Sequence, residues 1–237
     1  MEHCRITFSA NAGMALQLRN KRILIDALHD KKVPPFSTVS PALWEQIRTH
    51  PDFVDPDVIF FTHCHEDHYS QALTMEAKRL WPGAVLVLPE QEFGAQYLLY
   101  GSETKFVVDD MVFRFLRLTH EGEQYVDVPH YGLLIEGPDF RILIAADCKL
   151  ANPQLTKFLE GKPVDLAILE FPWITLRTGW NYVEEVLKPR HLLINHIPFP
   201  QDDLAGYRDA AIHAAKCRPE EDIRLLLEPL QQEEFDI

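Results

Sequence analysis

Cysteine is scarce and scattered: Cys4, Cys64, Cys148 and Cys217 are the only four in 237 residues, and no Cys-x-x-Cys pair occurs. That pattern excludes a disulfide framework and a cysteine-built structural zinc site. At least two of the cysteines are expected to be small buried hydrophobes. No apolar run approaches the roughly 20 residues that a membrane span needs. The opening residues, Met1 to Ile6, lack the apolar core of a signal peptide. A soluble, cytoplasmic protein with no membrane partner is therefore expected. There is no low-complexity tract and no Pro/Gly/Ser-rich linker, so residues 1–237 are expected to form a single domain. Positive charge is also short, with 23 Lys and Arg against 36 Asp and Glu, a net of −13. An extended nucleic-acid surface is excluded on that count, because a polyanion would meet like charge almost everywhere.

What is present is a succession of short apolar runs bounded by turn residues. Strands are predicted at Arg5–Phe8, Met14–Leu18, Arg22–Ile25, Val58–Phe61, Val85–Leu88, Val112–Leu118, Leu133–Ile135, Arg141–Ala145, Leu166–Leu169, His191–Ile194 and Arg224–Leu227. Stretches of helical period lie between them at Pro41–Ile47, Gln71–Leu80, Glu90–Leu99, Pro153–Leu159, Tyr182–Leu187 and Asp203–Ala215, the last capped by Asp202 or Asp203. Early strands are hairpin-spaced and later ones are separated by helices, which makes a layered α/β or α+β fold. One plan occurs twice. Leu16–Asp26 is a strand, a polar turn and an Arg-Ile-Leu-Ile strand ending in Asp; Leu133–Asp147 repeats it half a chain later. Convergent hairpins or two similar halves facing one another would each produce this echo.

The segment that carries chemistry follows the fourth strand. Val58-Ile59-Phe60-Phe61-Thr62 runs into His63-Cys64-His65-Glu66-Asp67-His68, and a helix is predicted from Gln71. An ideal strand would throw His65 and His68 to opposite faces, and an ideal helix would separate His63 from His65. Only a turning loop can aim all four polar groups at one point. Three imidazoles and a carboxylate within six residues suit zinc, iron, manganese or nickel.

His63-x-His65-x-Asp67-His68 resembles the HxHxDH signature of the metallo-β-lactamase superfamily, whose fold is a four-layer αββα sandwich holding one or two metals at the edge of its sheets. The likeness extends over residues 5 to about 200. Asp26 resembles the family's early structural Asp, His120 its third-motif His, Asp147 its bridging Asp and His196 its last ligand. The resemblance implies two divalent metals, Zn²⁺ first and Mn²⁺ or Fe as alternatives. His63, His65 and His120 would hold one, and Asp67, His68 and His196 the other. Asp147 would bridge them through its two oxygens, and Asp67 and Asp147 would be the catalytic carboxylates. Metals about 3.5–4 Å apart can share a hydroxide, the water pKa falling from 15.7 to near 7. His130 competes with His120 for its place; the family ligand follows the strand end at once, which favours His120 and leaves His130 to the pocket. The Ala-Ala-Asp147-Cys context departs from the family's usual Gly-Asp-Thr or Gly-Asp-Ser.

Around these ligands, Asp26 is expected to buttress the His-rich loop. Glu170 lies where the transfer-RNA 3′-processing branch carries a His-Glu element, but Leu169 stands in place of that His. A loop over Leu28–Ser40 and another over Pro172–Trp180 should shape the pocket, with Arg177 available for a phosphate or carboxylate. The resemblance therefore implies a metal-dependent hydrolase of a small, anionic or neutral molecule, since metals can make one pocket locally positive whatever the net charge. A phosphodiester or phosphate ester is placed ahead of a lactone, thioester or amide. An iron-dependent dioxygenase and a catalytically silent metal sensor are the other classes.

Overall fold

The structure is a computed structural model and describes residues 2–237. Its first sheet is built from β1 (His3–Phe8), β2 (Met14–Leu18), β3 (Lys21–Ile25), β4 (Val58–Phe60), β5 (Val85–Leu88) and β6 (Tyr97–Leu98). The second contains β7 (Glu103–Val108), β8 (Met111–Arg117), β9 (Tyr131–Glu136), β10 (Arg141–Ile144), β11 (Leu166–Glu170), β12 (His191–Asn195) and β13 (Ile223–Leu225). A last strand, β14 (Gln232–Asp236), returns to the first sheet and pairs antiparallel with β1.

Alternation along the second sheet shows how the layers form. Phe113, Phe115, Leu133, Ile135, Ile142, Ile144, Leu166, Ile168 and Leu193 join one core with residues of the first sheet. Their neighbours Leu116, Leu134, Leu143, Ala167, Leu169, Leu192 and Ile194 face the other way. There they meet α3 (Pro153–Leu159), α4 (Pro172–Thr175), α5 (Arg177–Tyr182) and α6 (Tyr207–Lys216). A period of two with both faces apolar is what a sheet covered on each side requires. The helices preceding these, α1 (Pro41–Ile47) and α2 (Gln71–Leu80), bury Leu43, Trp44, Ile47, Leu73 and Ala77 in the core of the first sheet. The result is the four-layer αββα sandwich. Among the described residues no helix is long and apolar enough to cross a membrane.

The echo in the sequence is a real equivalence of pairing. In the first sheet β1, β2 and β3 pair antiparallel and β3 to β6 parallel; in the second β8, β9 and β10 pair antiparallel and β10 to β13 parallel. Each series gains one more antiparallel strand, β14 on β1 and β7 on β8. The two halves thus present equivalent strand ends to one edge of the sandwich.

Four expectations are corrected. Glu90–Leu99 is not a helix. The Gln96 side chain binds the Glu92 and Phe93 amides and the Glu90 carbonyl, so these backbone groups are satisfied without a helical turn. Tyr97 and Leu98 extend the parallel sheet instead. The Pro172–Trp180 loop is helical over most of its length, and the helix expected at Tyr182–Leu187 begins earlier, at Arg177, before continuing as a π-type turn over Val183–Leu187. The last helix starts at Tyr207, four residues after the expected Asp203. Asp203 nevertheless caps it, accepting from the amides of Tyr207 and Arg208 at 2.9 and 3.0 Å.

Close approach of the β1–β2 turn to the end of β3 depends on Gly13. A Cβ there would lie 2.7 Å from the Asp26 carbonyl oxygen and 2.9 Å from the Ala27 Cα, both backbone atoms. Gly13→Ala is expected to displace one turn or the other at a cost of about 1–3 kcal/mol. Thermal unfolding should show Tm lowered by about 2–12 °C, and a melt within a degree of the parent would contradict this packing.

Candidate metal centre

The chemistry-bearing residues meet at the carboxyl ends of the parallel strands. His63, His65, Asp67 and His68 occupy the turn between β4 and α2, whose first turn is capped by Ser70 accepting from the Leu73 amide. His120 follows β8, Asp147 follows β10, Glu170 is the last residue of β11 and His196 follows β12. Three of the turns that aim these groups take the left-handed conformation: Asp26 has φ 48°, Ala146 beside Asp147 has φ 48° and His196 has φ 60°. Asp and His are among the residues found more often in this geometry, but Ala does not favour it. The strain sits at Ala146, the residue that sets the direction of Asp147.

Two groups of donors result. His63, His65 and His120 form one; His68, Asp147, Glu170 and His196 form the other; within each, the ligand atoms lie within 4.8 Å of one another. Asp147 touches both. Its Oδ1 is 2.9 Å from His68 Nε2, while its Oδ2 is 3.7 Å from His120 Nε2 and 3.9 Å from His196 Nε2. Asp67 adds Oδ2 beside the second group, 3.8 Å from His68 Nε2 and 3.7 Å from His196 Nε2.

Hydrogen bonds behind the rings decide which nitrogen faces the hole. His68 Nδ1 donates to Asp26 Oδ2 at 2.9 Å. Thr62 Oγ1 gives its hydrogen to the same Asp26 oxygen at 2.7 Å, so it accepts from His63 Nδ1 at 3.0 Å. His120 Nδ1 donates to the Glu121 carbonyl at 2.6 Å. In the neutral rings each Nε2 is then a bare lone pair. These lone pairs meet other ring nitrogens: His63 and His120 Nε2 are 3.4 Å apart, and His68 Nε2 is 3.2 Å from His196 Nε2, which accepts from the Asn11 side-chain amide at 3.2 Å. Acceptors this close repel unless a cation or proton lies between them, so the residues fit divalent metals.

The titration behaviour of the cluster says the same. Burial lowers His63, His65 and His196, each also opposed by neighbouring imidazoles, so these rings favour the neutral, ligating form. Burial acts against charge on His68 too, but the Asp147 and Asp67 carboxylates outweigh it and push His68 well up. Burial would raise Asp147, yet His68, His196 and His63 hold it well below the usual carboxylate range. Without other cations, a proton on His68 answers the carboxylates.

Asp26 also accepts from the Thr62 amide at 2.8 Å, so one carboxylate holds the Thr62 backbone, the Thr62 hydroxyl and the His68 ring. His120, not His130, faces the donors. His130 is buried behind them with Nδ1 bonded to the Leu118 carbonyl at 3.2 Å, and its ring centroid lies 5.3 Å from that of His63. Glu170 stands within the second group rather than outside it. Arg177 opens α5 with its side chain exposed and pairs with none of the donors. Cys64 is half-buried, packs against the core, and burial with Glu90 and Glu92 nearby pushes its thiol up, away from the reactive thiolate.

Two features were invisible to ligand spacing. Asn11, buried in the β1–β2 turn with φ 55°, donates from Nδ2 to the Asp67 carbonyl at 2.9 Å and lies 3.2 Å from His196 Nε2; its own carbonyl accepts the His196 amide. The signal in the sequence that could have marked it is the turn signature of Asn11-Ala12-Gly13. Aromatic rings also flank the donors. Tyr125 lies 4.8 Å from His65 and 5.0 Å from His120, and Phe36 lies 4.2 Å from His196, centroid to centroid.

The sequence model of the beta-lactamase superfamily domain matches residues 21–196, a span that runs from β3 to His196. No protein of curated function matches in sequence. Solved structures with the same architecture include the metallo-beta-lactamase fold protein YhfI from Bacillus subtilis, at TM-score 0.67 and 13% identity over 99% of this chain and 100% of that one. The isothiocyanate hydrolase from Delia radicum gut bacteria gives TM-score 0.67 and 18% identity over 98% and 99%. CmlA, a diiron beta-hydroxylase from Streptomyces venezuelae, gives TM-score 0.67 and 14% identity over 100% of this chain and 55% of CmlA. Identities this low establish the shared fold, one common among metal-dependent hydrolases.

Proposed function

We infer, for a chain that belongs to the beta-lactamase superfamily, that it is a dinuclear metal-dependent hydrolase of a small ester carrying at most one negative charge, with a phosphodiester as the favoured substrate. The observation that carries this reading is the pair of adjoining donor groups with Asp147 between them. His63, His65 and His120 would hold one ion, His68, Asp67 and His196 the other, and Asp147 both. Divalent ions bound there supply Lewis acidity to the ester and bring the pKa of water towards neutrality.

The chain's own residues do the remaining work. Asp26 and Thr62 fix the rings of His68 and His63. Asn11 ties the Asp67 turn to His196. Tyr125 and Phe36 give the approach two apolar faces. Three carboxylates, those of Asp67, Asp147 and Glu170, line the donor region, and no lysine or arginine among the described residues pairs with any of them. Lys31 and Lys32, in the neighbouring loop, are engaged by Glu66 and Asp202. A dianionic phosphate monoester would find little cationic help from side chains here. A diester or an uncharged lactone or thioester would need less.

The test is a panel of chromogenic phosphodiesters, phosphate monoesters, lactones and thioesters, assayed with protein loaded with Zn²⁺ or Mn²⁺. Diester turnover at least about tenfold above monoester turnover is expected, a difference of about 1.4 kcal/mol in barrier. Activity that persists after complete chelation would sink the reading, and monoester preference would sink its substrate.

A further inference from the structure

The two donor groups are chemically unlike. The first offers three imidazole nitrogens and, apart from the shared Asp147, no carboxylate. The second offers His68 and His196 together with Asp147 and Glu170, and Asp67 lies against the same two rings. Glu170 makes the difference. It ends β11 in register with Asn195, the residue before His196, and so is delivered to the same edge as the ring it approaches. Its Oε1 is 3.8 Å from His196 Nε2. The residue is only 9% exposed, and that oxygen has no hydrogen-bond partner. A buried carboxylate oxygen facing carboxylates and lone pairs, with no lysine or arginine paired to it, is unfavourable unless a cation or a proton answers it.

We propose that Glu170 is itself a metal ligand and makes the second group a carboxylate-rich site that accepts Mn²⁺ far more readily than the imidazole-rich first group does. This rests on the dinuclear reading above. Imidazole donors suit Zn²⁺, whereas carboxylate oxygens suit harder ions. Zn²⁺ outranks Mn²⁺ at almost any nitrogen site by the general order of divalent affinities, so the contrast is in how strongly each group discriminates. In a large excess of Mn²⁺ over Zn²⁺, the first group keeps Zn²⁺ and the second exchanges.

The experiment reloads chelated, full-length protein from such a mixture and measures bound metals by mass spectrometry, with the Mn²⁺ electron paramagnetic resonance spectrum as a second readout. The parent protein should bind one Zn²⁺ and one Mn²⁺. Glu170→Gln, which keeps the shape and removes the charge, should bind Mn²⁺ at least about tenfold less readily. The metal-free variant should melt no lower than the metal-free parent, because an unanswered buried carboxylate has been removed. If Glu170→Gln binds two ions in the parent's Zn²⁺ to Mn²⁺ ratio, the proposal is overturned while the dinuclear reading stands. A parent protein that binds fewer than two ions overturns both. Should Glu170→Gln fail to fold, Glu170→Asp serves: its shorter arm withdraws the oxygen, so reduced Mn²⁺ uptake is expected and unchanged uptake overturns the assignment.

Discussion

Asp147→Asn is expected to abolish hydrolysis while leaving the sandwich folded. Asp147 reaches both donor groups, through Oδ1 at 2.9 Å from His68 and Oδ2 at 3.7 Å from His120. Asn keeps the volume but replaces one of those oxygens by an amide that carries hydrogens, and it removes the negative charge that two adjacent cations need between them. The expected loss in kcat/KM is at least about a thousandfold, corresponding to about 4 kcal/mol of transition-state stabilisation. Bound metal should fall below two ions per chain. The far-ultraviolet circular dichroism spectrum should be unchanged, because Asp147 lies at a strand end and not within the apolar cores. A variant that retains activity within about tenfold of the parent would contradict the bridging role, since even a lost outer-sphere partner commonly has an effect of that size.

Asp26→Ala should have the larger effect on stability. Asp26 is buried, and three buried donors share its carboxylate: the Thr62 amide, the Thr62 hydroxyl and His68 Nδ1. Alanine leaves all three without an acceptor. Each orphaned donor costs about 1–3 kcal/mol, and because they share one network the sum is about 3–5 kcal/mol. In a domain of this size that lowers Tm by about 6–20 °C. Metal affinity should fall by about 10–100-fold as well, because Asp26 sets the orientation of His68 and, through Thr62, that of His63. Thermal unfolding of the metal-free variant isolates the first effect, and metal titration the second. A metal-free melt unchanged within a degree would show that the buttress is dispensable.

Residues that are chemically distinctive were legible in the sequence, and residues whose role is geometric were not. The His63–His68 turn could be read because no regular element places those side chains on one side, and Asp147 and His196 because each, following an apolar strand, resembles a ligand position of the family. The repeated hairpin was legible as a pattern, but whether it meant a shared architecture depended on long-range pairing that local sequence does not encode. Two edge strands escaped notice for the opposite reason. β14 contains one apolar residue, Phe235, and β7 opens with three polar residues, Glu103, Thr104 and Lys105, before its apolar half; a strand paired on one side needs little hydrophobicity to hold it. At Glu90–Leu99 the apolar spacing was helical, yet a side chain, Gln96, satisfied the local backbone and strand pairing prevailed. Glu170 was visible as a carboxylate at a strand end; only the packing of β11 against β12 showed that it shares a hole with His196.

The pairing of β1 with β14 has a consequence in time. The outer edge of β1 is completed by a strand that begins at Gln232, more than two hundred residues after His3. At the usual pace of about 5–20 residues per second, a ribosome needs on the order of ten to forty-five seconds to make the intervening chain. Through that interval a nascent first half presents an unpaired, largely apolar strand edge to its surroundings. The donor groups are equally late, because His196 leaves the ribosome only after most of both sheets has been made. Newly made chains should therefore depend on holding chaperones until synthesis is nearly done, and acquire their ions only afterwards.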